Sequence, residues 1–585
     1  MQFSESRGVT AVGIENDYVS FVLNNQLKNR AKWKSFTKVF TTREDPSDDG
    51  WRGEFFGKMM RGASLVYAYT RDEELYGILT EAVEDLLKTQ DEYGRISTYT
   101  VEHEFFGWDM WCRKYVLTGL FHYRAICKDE QLKERIVKAC EKHLDYIISK
   151  IGKGKIEITE TSLWWGCVNS CTILEPTIEL YKITGKKKYL DFAEYIISTG
   201  GSSDCNFIEL ALEGKLYPYQ YPVVKAYETM SFFEGLLAYY EVTGKEKYYE
   251  AVVKFYDAVR KTDITAIGCS GCTHELFDNS SVRQTEYSEG IMQETCVTVT
   301  WMRLSTRLFM LTGDAKYVNG IEFSGLNALY GSLNLRGNKI WAYYDKEFMS
   351  GMTFDSYSPL YMNLRWRGVG GLKKFSFGDF GGCCEAIGAC GVALMPLTAV
   401  MSDGDKVYVN LPFDGSYDVG GLAIDICGNY PSGGDFTVSV SGENKGGLSL
   451  YIRKPDWCEK MTVNGKAVSA DGYYKFDGDL YNGNKISVKW ERALRVHRLN
   501  GKVGFSLGPV TLCADAEKSG DIKKPVTVSD RPEYEILTPE KGEIIRVNVK
   551  TDDGSLILTD YQSCGKGSGS DGIITVWLDD AKAQG

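Results

Sequence analysis

A helical hairpin written five times over the first 330 residues constrains this chain more than any other feature. Clear copies read "YKITGKKKYLDFAEYII" from Tyr181, "YEVTGKEKYYEAVVKFY" from Tyr240 and "FMLTGDAKYVNGIEF" from Phe309. Looser copies are "YAYTRDEELYGILTEAV" from Tyr67 and "RAICKDEQLKERIVKAC" from Arg124. In each, an apolar helix ends in a short polar turn, often Thr-Gly, and an amphipathic helix follows at once. Glycine there suits a left-handed helix cap. A sixth pair is expected to end with "CCEAIGACGVALMPLTAV" and to turn at "MSDGD". Six such pairs predict an (α/α)6 toroid whose inner helices line a central funnel. An open superhelix of stacked hairpins is the alternative.

The texture changes after Ser402. "DKVYVNLPF", "GLAIDIC", "DFTVSVSG", "LSLYIRKP", "KISVKW", "KVGFSLGPVTLCA" and "IIRVNVKT" are short β-branched and aromatic runs separated by Gly, Asp and Asn. They predict a sandwich-type β region, with length enough for two small sandwiches. The expected organisation is α+β and multidomain. Residues 1–15 hold an N-terminal strand ("VTAVGI") packing on the β region, 16–402 form the (α/α)6 barrel, and 403–585 form one or two β-sandwich domains.

A formal net charge of −11 argues against nucleic acid or an anionic membrane as the main partner. No window approaches the roughly 18 consecutive apolar residues of a membrane span. The first twenty residues lack a basic segment followed by an apolar run, so a cytoplasmic address is the expectation. In that compartment the 16 cysteines stay reduced, and clustered ones read as metal ligands or nucleophiles rather than staples.

The cluster that matters is "GGCCEAIGA", carrying Cys383 and Cys384, with "MQETCVTVTWMRL" some 90 residues upstream, carrying Glu294 and Cys296. One carboxylate and three thiolates suit a tetrahedral Zn²⁺ site. Glu294 and Cys296 are two apart and cooperate only at a helix start, which the preceding "SEG" allows. The Cys-Cys pair also opens a helix, whose dipole favours thiolates. A closed zinc staple without a catalytic role is the other reading of the same ligands. Upstream, "GCSGCTHELF" offers His274 and Glu275 in a loop between hairpins, where a partly buried carboxyl could act as general acid. Its Cys269 and Cys272 form a C-x-x-C and are the rival ligands.

Taken in order, "GCSGCTHELF", "QETCVTVTWMRL" and "GGCCEAIGA" resemble the catalytic signature of glycoside hydrolase family 127 and its relatives in family 146. The resemblance runs from about Glu54 to beyond Pro509, through "GEFFGKMMRGASLVYAYT", "WDMWCRKYVLTGL" and "GKVGFSLGPVTLC". It implies an (α/α)6 barrel followed by β-sandwich domains and β-L-arabinofuranosidase-like action on small oligosaccharides. It further implies Cys383 as a zinc-bound thiolate nucleophile, Glu294, Cys296 and Cys384 as the other ligands, and Glu275 as acid and then base, with retention. Many members of such families form homodimers, but no interface signal is legible in this sequence.

The resemblance departs at the sugar pocket, where the family's histidines align near Trp108, Ser170 and Pro222. "EFFGWDMWCRKY" supplies Trp108, Asp109, Trp111 and Lys114 instead, and "KAYETM" supplies Lys225, Tyr227 and Glu228. With His274, these are the expected substrate contacts apart from Lys114, and they would also suit another, acidic or modified, terminal sugar. A sugar epimerase would want paired histidines in the funnel, and the five here are scattered. A non-catalytic carbohydrate-binding protein with a structural zinc is the remaining alternative.

Overall fold

Gly185, Gly244 and Gly313 each follow a helix with φ of 66°, 64° and 69°, the left-handed caps that the Thr-Gly turns require. Arg71 takes the same conformation without glycine, at φ 55°. The computed structural model describes every residue except 7–12, 46–49, 274, 287–292, 336, 338–339, 343–346, 361–370, 445–446, 479, 567–572 and 584–585.

Six helices form an inner ring: α1 (Glu54–Thr70), α2 (Asp109–Ile126), α3 (Leu174–Thr184), α4 (Ala226–Thr243), α5 (Thr295–Thr312) and α6 (Cys383–Ala399). Each packs on the next and α6 packs on α1, so the ring closes and the open superhelix is excluded. These helices are buried nearly all round, as a helix enclosed by neighbours must be. Their outer partners are amphipathic. The helix Glu246–Thr262, for instance, buries Tyr248, Ala251, Val252, Phe255, Tyr256 and Val259 on one face.

The sixth pair differs from expectation. α6 runs straight into the strand Val400–Asp403, and "MSDGD" turns a β-hairpin back through Lys406–Val409. The missing outer helix comes from the chain's start. Arg30–Thr42 packs on Glu73–Leu87, and Ile14–Val22 packs on α6. The chain therefore enters the toroid outside and leaves it inside, which delivers α6 directly to the β region.

The first β unit has one sheet of five strands and one of seven. The chain's first residues join both: Gln2–Phe3 pairs with Val400–Asp403, and Glu5–Ser6 pairs with Gly415–Val419. These strands lie ahead of the expected "VTAVGI". Of that segment, 9–12 lie outside the described residues, and Gly13 caps the helix Ile14–Val22. The second β unit is, among the described residues, a single sheet of eight strands. It is fastened to the toroid where Asn327 Nδ2 donates to Pro509 O and Asn327 Oδ1 accepts from Thr511 N.

Glu15 is 1% exposed. Burial, with smaller contributions from Asp414 and Asp17, pushes its carboxyl up to about 8. A folded-state value above the unfolded one means that Glu15 favours folding fully below the unfolded value. That contribution is lost as pH rises through about 8. Glu15→Gln keeps the neutral shape. It is expected to match the wild-type Tm near pH 5 and to exceed it by about 3 °C near pH 9. Parallel Tm curves across that range would show the carboxyl to be charged in the fold.

Candidate active site

The clustered cysteine and glutamate side chains sit at helix starts because the ring brings the N-termini of α1, α2, α4, α5 and α6 to one mouth. Glu294 is the N-cap of α5, Cys296 is its second residue, and Cys383 and Cys384 are the first two residues of α6. Free N–H groups and the helix dipole both favour negative charge there. Cys384 Sγ lies 3.5 Å from Cys296 Sγ, 3.8 Å from Cys383 Sγ and 3.6 Å from Glu294 Oε1. All four donor atoms fall within 4.8 Å of one another.

Long-range pairing holds the two starts in register. Glu294 pairs with Tyr357 across a two-residue ladder, and Thr295 N and Oγ1 donate to Ser356 O and Asp355 O. The same loop is clamped to α6, since Glu385 accepts from Thr353 N and Phe354 N at 2.9 Å. The hairpin Leu372–Lys374/Phe380–Gly382 leads into Cys383, whose N–H donates to Gly371 O at 3.0 Å.

The donor set fits a metal cation. Glu294 Oε2 is buried without a hydrogen-bond partner. Burial pushes the Glu294 carboxyl and the Cys296 and Cys384 thiols well up. Hydrogen bonds with Cys296 and Cys384, then the Lys58 and Lys225 ammonium groups, hold Cys383 well below the usual thiol range. Four acidic donors packed this closely and this deeply need a counter-charge among them. Cys383 alone of the four is partly exposed. Cys269 and Cys272 do not join the cluster: Cys269 Sγ is bonded to Ser270 O and Glu294 O, and Cys272 Sγ accepts from Gln293 Nε2.

Glu275 stands in the loop opposite, in a left-handed conformation (φ 68°) uncommon for a residue with a side chain. The loop is tied to the entry of α4: Ala226 N donates to Glu275 O at 3.1 Å and Phe277 N to Val224 O at 2.7 Å. Its carboxylate is ion-paired with Lys225 Nζ and accepts from Tyr357 OH at 2.5 Å. Its charge is among those that push Glu294 up, so this carboxyl and the four-donor cluster share one funnel.

The expected sugar contacts separate into two sets. Lys225 and Glu228 border the funnel, Glu228 Oε2 being buried without a partner. Trp108 is half-buried at the start of α2, with ring contacts at 6.4 Å to Trp51 and 6.1 Å to Trp111. Trp111 and Tyr227 lie deeper: the Trp111 indole donates to Glu54 Oε2, and Tyr227 OH bonds Tyr115 OH. Asp109 is a structural tie, because Ser97 Oγ, Phe105 N and Arg113 Nε donate to its fully buried carboxylate. Lys114 is sealed in the barrel axis, where burial pushes its amine down to about 7. His274 lies outside the described residues.

Sequence reasoning missed the Glu54–Lys58 pair and Tyr357. Lys58 Nζ is 3.8 Å from Cys296 Sγ and 2.9 Å from Glu54 Oε1, a buried ammonium beside the thiols. The signal was an i,i+4 Glu-Lys pair inside the apolar stretch "GEFFGKMMRG". Tyr357, which grips Glu275, had no local signal, because its role depends on a strand pairing made across 63 positions (357 minus 294).

A profile of the β-L-arabinofuranosidase GH127 catalytic domain matches residues 9–350, and one of the GH127 middle domain matches residues 402–492. Among solved structures, a GH127 β-arabinofuranosidase superposes with a TM-score of 0.77 at 18% identity, covering 100% of this chain and 98% of the other. A GH127 β-L-arabinofuranosidase from Geobacillus stearothermophilus T6 gives 0.75 at 17% identity, covering 98% and 100%. At these identities the likeness is one of fold. Comparison with curated proteins gave no match.

Proposed function

The chain belongs to glycoside hydrolase family 127, and from that premise we propose that it is a retaining β-L-arabinofuranosidase trimming terminal residues from oligosaccharides. Cys383 is the nucleophile, Glu275 the acid and base, and Glu294, Cys296, Cys383 and Cys384 hold zinc. The observation that carries this reading is the one partly exposed thiol in a buried four-donor cluster, with a braced carboxylate across the funnel.

Zinc suits the donors. Sulfurs bound at about 2.3 Å in a tetrahedron stand about 3.8 Å apart, close to the 3.5 and 3.8 Å measured here. Thiolate-rich sets also select for it. When bound, the metal keeps these sulfurs ionised near neutral pH, which a free thiol of pKa about 8.5 is not.

The chain's own groups then divide the work. Cys383 Sγ attacks the anomeric carbon as the C–O bond breaks, and Glu275 gives its proton to the leaving oxygen. Water enters, Glu275 takes its proton, and the hydroxyl displaces Cys383 with a second inversion, so configuration is retained. Lys225 and Tyr357 hold the Glu275 carboxyl on the leaving-group side throughout. Lys225 is committed to Glu275 and is therefore not free to pair with an acidic sugar.

The test is turnover of aryl α- and β-L-arabinofuranosides, arabinopyranosides and uronides by zinc-replete, reduced protein beside Glu275→Gln. Release from the β-L-arabinofuranoside, falling by about 10²–10⁴-fold in the variant, is expected. Release from a uronide alone would replace the substrate, and silence across the panel would sink the reading.

A further inference from the structure

Large apolar side chains are concentrated at one place on this surface. Of the 14 that are well exposed among the described residues, five (Val101, Phe106, Leu163, Trp164 and Trp165) lie on two adjoining loops at the catalytic mouth. Asn169 Nδ2 ties these loops together by donating to Gly107 O and Ser162 Oγ. Exposed apolar side chains gathered on adjoining loops beside a funnel point to a binding face.

The second loop is built to hold its tryptophans out. Trp165, Gly166 and Cys167 are three successive left-handed residues, at φ of 52°, 57° and 62°. Such strain persists only where the surroundings enforce it. Here Cys167 Sγ donates within the loop towards Thr159 O and Ser162 O, and Ser203 N donates to Gly166 O at 2.8 Å. A side chain at Gly166 would run into Ser202. The outcome is Trp164 at 37% and Trp165 at 36% exposure, large rings that would otherwise be covered.

Their position relates them to the reaction. Lys225 Nζ sits 5.8 Å from the Trp165 ring centre and is ion-paired with Glu275. The platform therefore adjoins the residue assigned to the leaving oxygen. The exposed charges of these loops, Glu102 and Glu160 against Lys153 and Lys155, cancel, which suits a neutral ligand. We infer that Trp164 and Trp165 form an aglycone platform on which neutral sugar rings beyond the scissile bond stack through their C–H faces. The preferred substrate is then an oligosaccharide with at least two sugars on the leaving side. This rests on the proposed hydrolase reading and adds the substrate's length and charge to it.

The experiment compares methyl β-L-arabinofuranoside with an oligosaccharide ending in the same sugar, using wild type, Trp164→Ala, Trp165→Ala and Trp165→Phe. Each alanine variant is expected to lose about tenfold in kcat/KM on the oligosaccharide, mostly as raised KM. Trp164→Ala, which leaves the Trp165 ring beside Lys225 in place, should stay within about twofold on the methyl glycoside, and Trp165→Phe should recover most of the loss on the oligosaccharide. Equal losses on both substrates in Trp164→Ala, or none on either, would overturn the platform. Binding of a panel of neutral oligosaccharides, followed by tryptophan fluorescence, separates this from the parent reading. If wild type cleaves neither compound yet binds an oligosaccharide in a Trp165-dependent way, the platform stands and the arabinofuranosidase reading falls. If no oligosaccharide binds in that way, the platform falls.

Discussion

Cys383→Ser is expected to lower kcat on an aryl β-L-arabinofuranoside by about 10⁴-fold or more while the protein stays folded. Serine keeps the shape of the side chain but is a far weaker nucleophile near neutral pH. The remaining donors, Glu294, Cys296 and Cys384, are buried and held by the loop 353–358, so the variant should still bind one zinc per chain. Its Tm should fall by only a few degrees. Three measurements on one preparation decide the matter: kcat, metal content and Tm. Loss of turnover with metal and fold retained assigns the nucleophile. Unfolding together with metal loss would make the cluster a structural staple. Turnover within about tenfold of wild type would mean that another group attacks carbon.

How the fold was legible in sequence follows from where its information lies. The Thr-Gly caps are local signals, and Gly185, Gly244 and Gly313 fell where the repeat put them. The identity of the sixth outer helix is not local. "MSDGD" reads equally well as a helix-terminating turn or a β-turn, and only pairing of Lys406–Val409 with Val400–Asp403 and Ser449–Arg453 decides it. That Glu294, Cys296, Cys383 and Cys384 come together was legible because dense cysteine and glutamate at two helix starts is chemically unusual. The sugar contacts were less so. Asp109 sits three residues before Cys112 on the helix that carries Trp111, yet its carboxylate points to Arg113 and the Ser97 loop. Sequence gives a residue's neighbours along the helix but not which side of the first turn faces the funnel. Trp164 and Trp165 were overlooked because exposure of an aromatic depends on a strained turn, and no propensity scale anticipates three consecutive left-handed residues.

Removing the proposed metal should be felt first at the seam between α5 and α6. These adjacent inner helices supply all four donors, two from each start. α6 is also the segment through which the toroid continues into the five-stranded sheet. Without a cation, Glu294, Cys296 and Cys384 are buried acids with, among the described residues, the Lys58 and Lys225 ammonium groups as counter-charge. Burial drives them to their neutral forms, and the binding free energy, of order 10 kcal/mol for structural zinc, leaves the folded state. Chelation is therefore expected to abolish turnover and lower Tm by about 8 °C or more. Both should be restored by one equivalent of Zn²⁺ under reducing conditions. Amide exchange should rise around 353–358 and 380–390, while the central strand Asp435–Gly442 of the seven-stranded sheet, remote from the seam, keeps its protection. A uniform rise in exchange would instead make the ion a determinant of global folding. Unchanged Tm and turnover in metal-free protein would show that the four donors work without an ion, and would remove the metal from the account of Cys383.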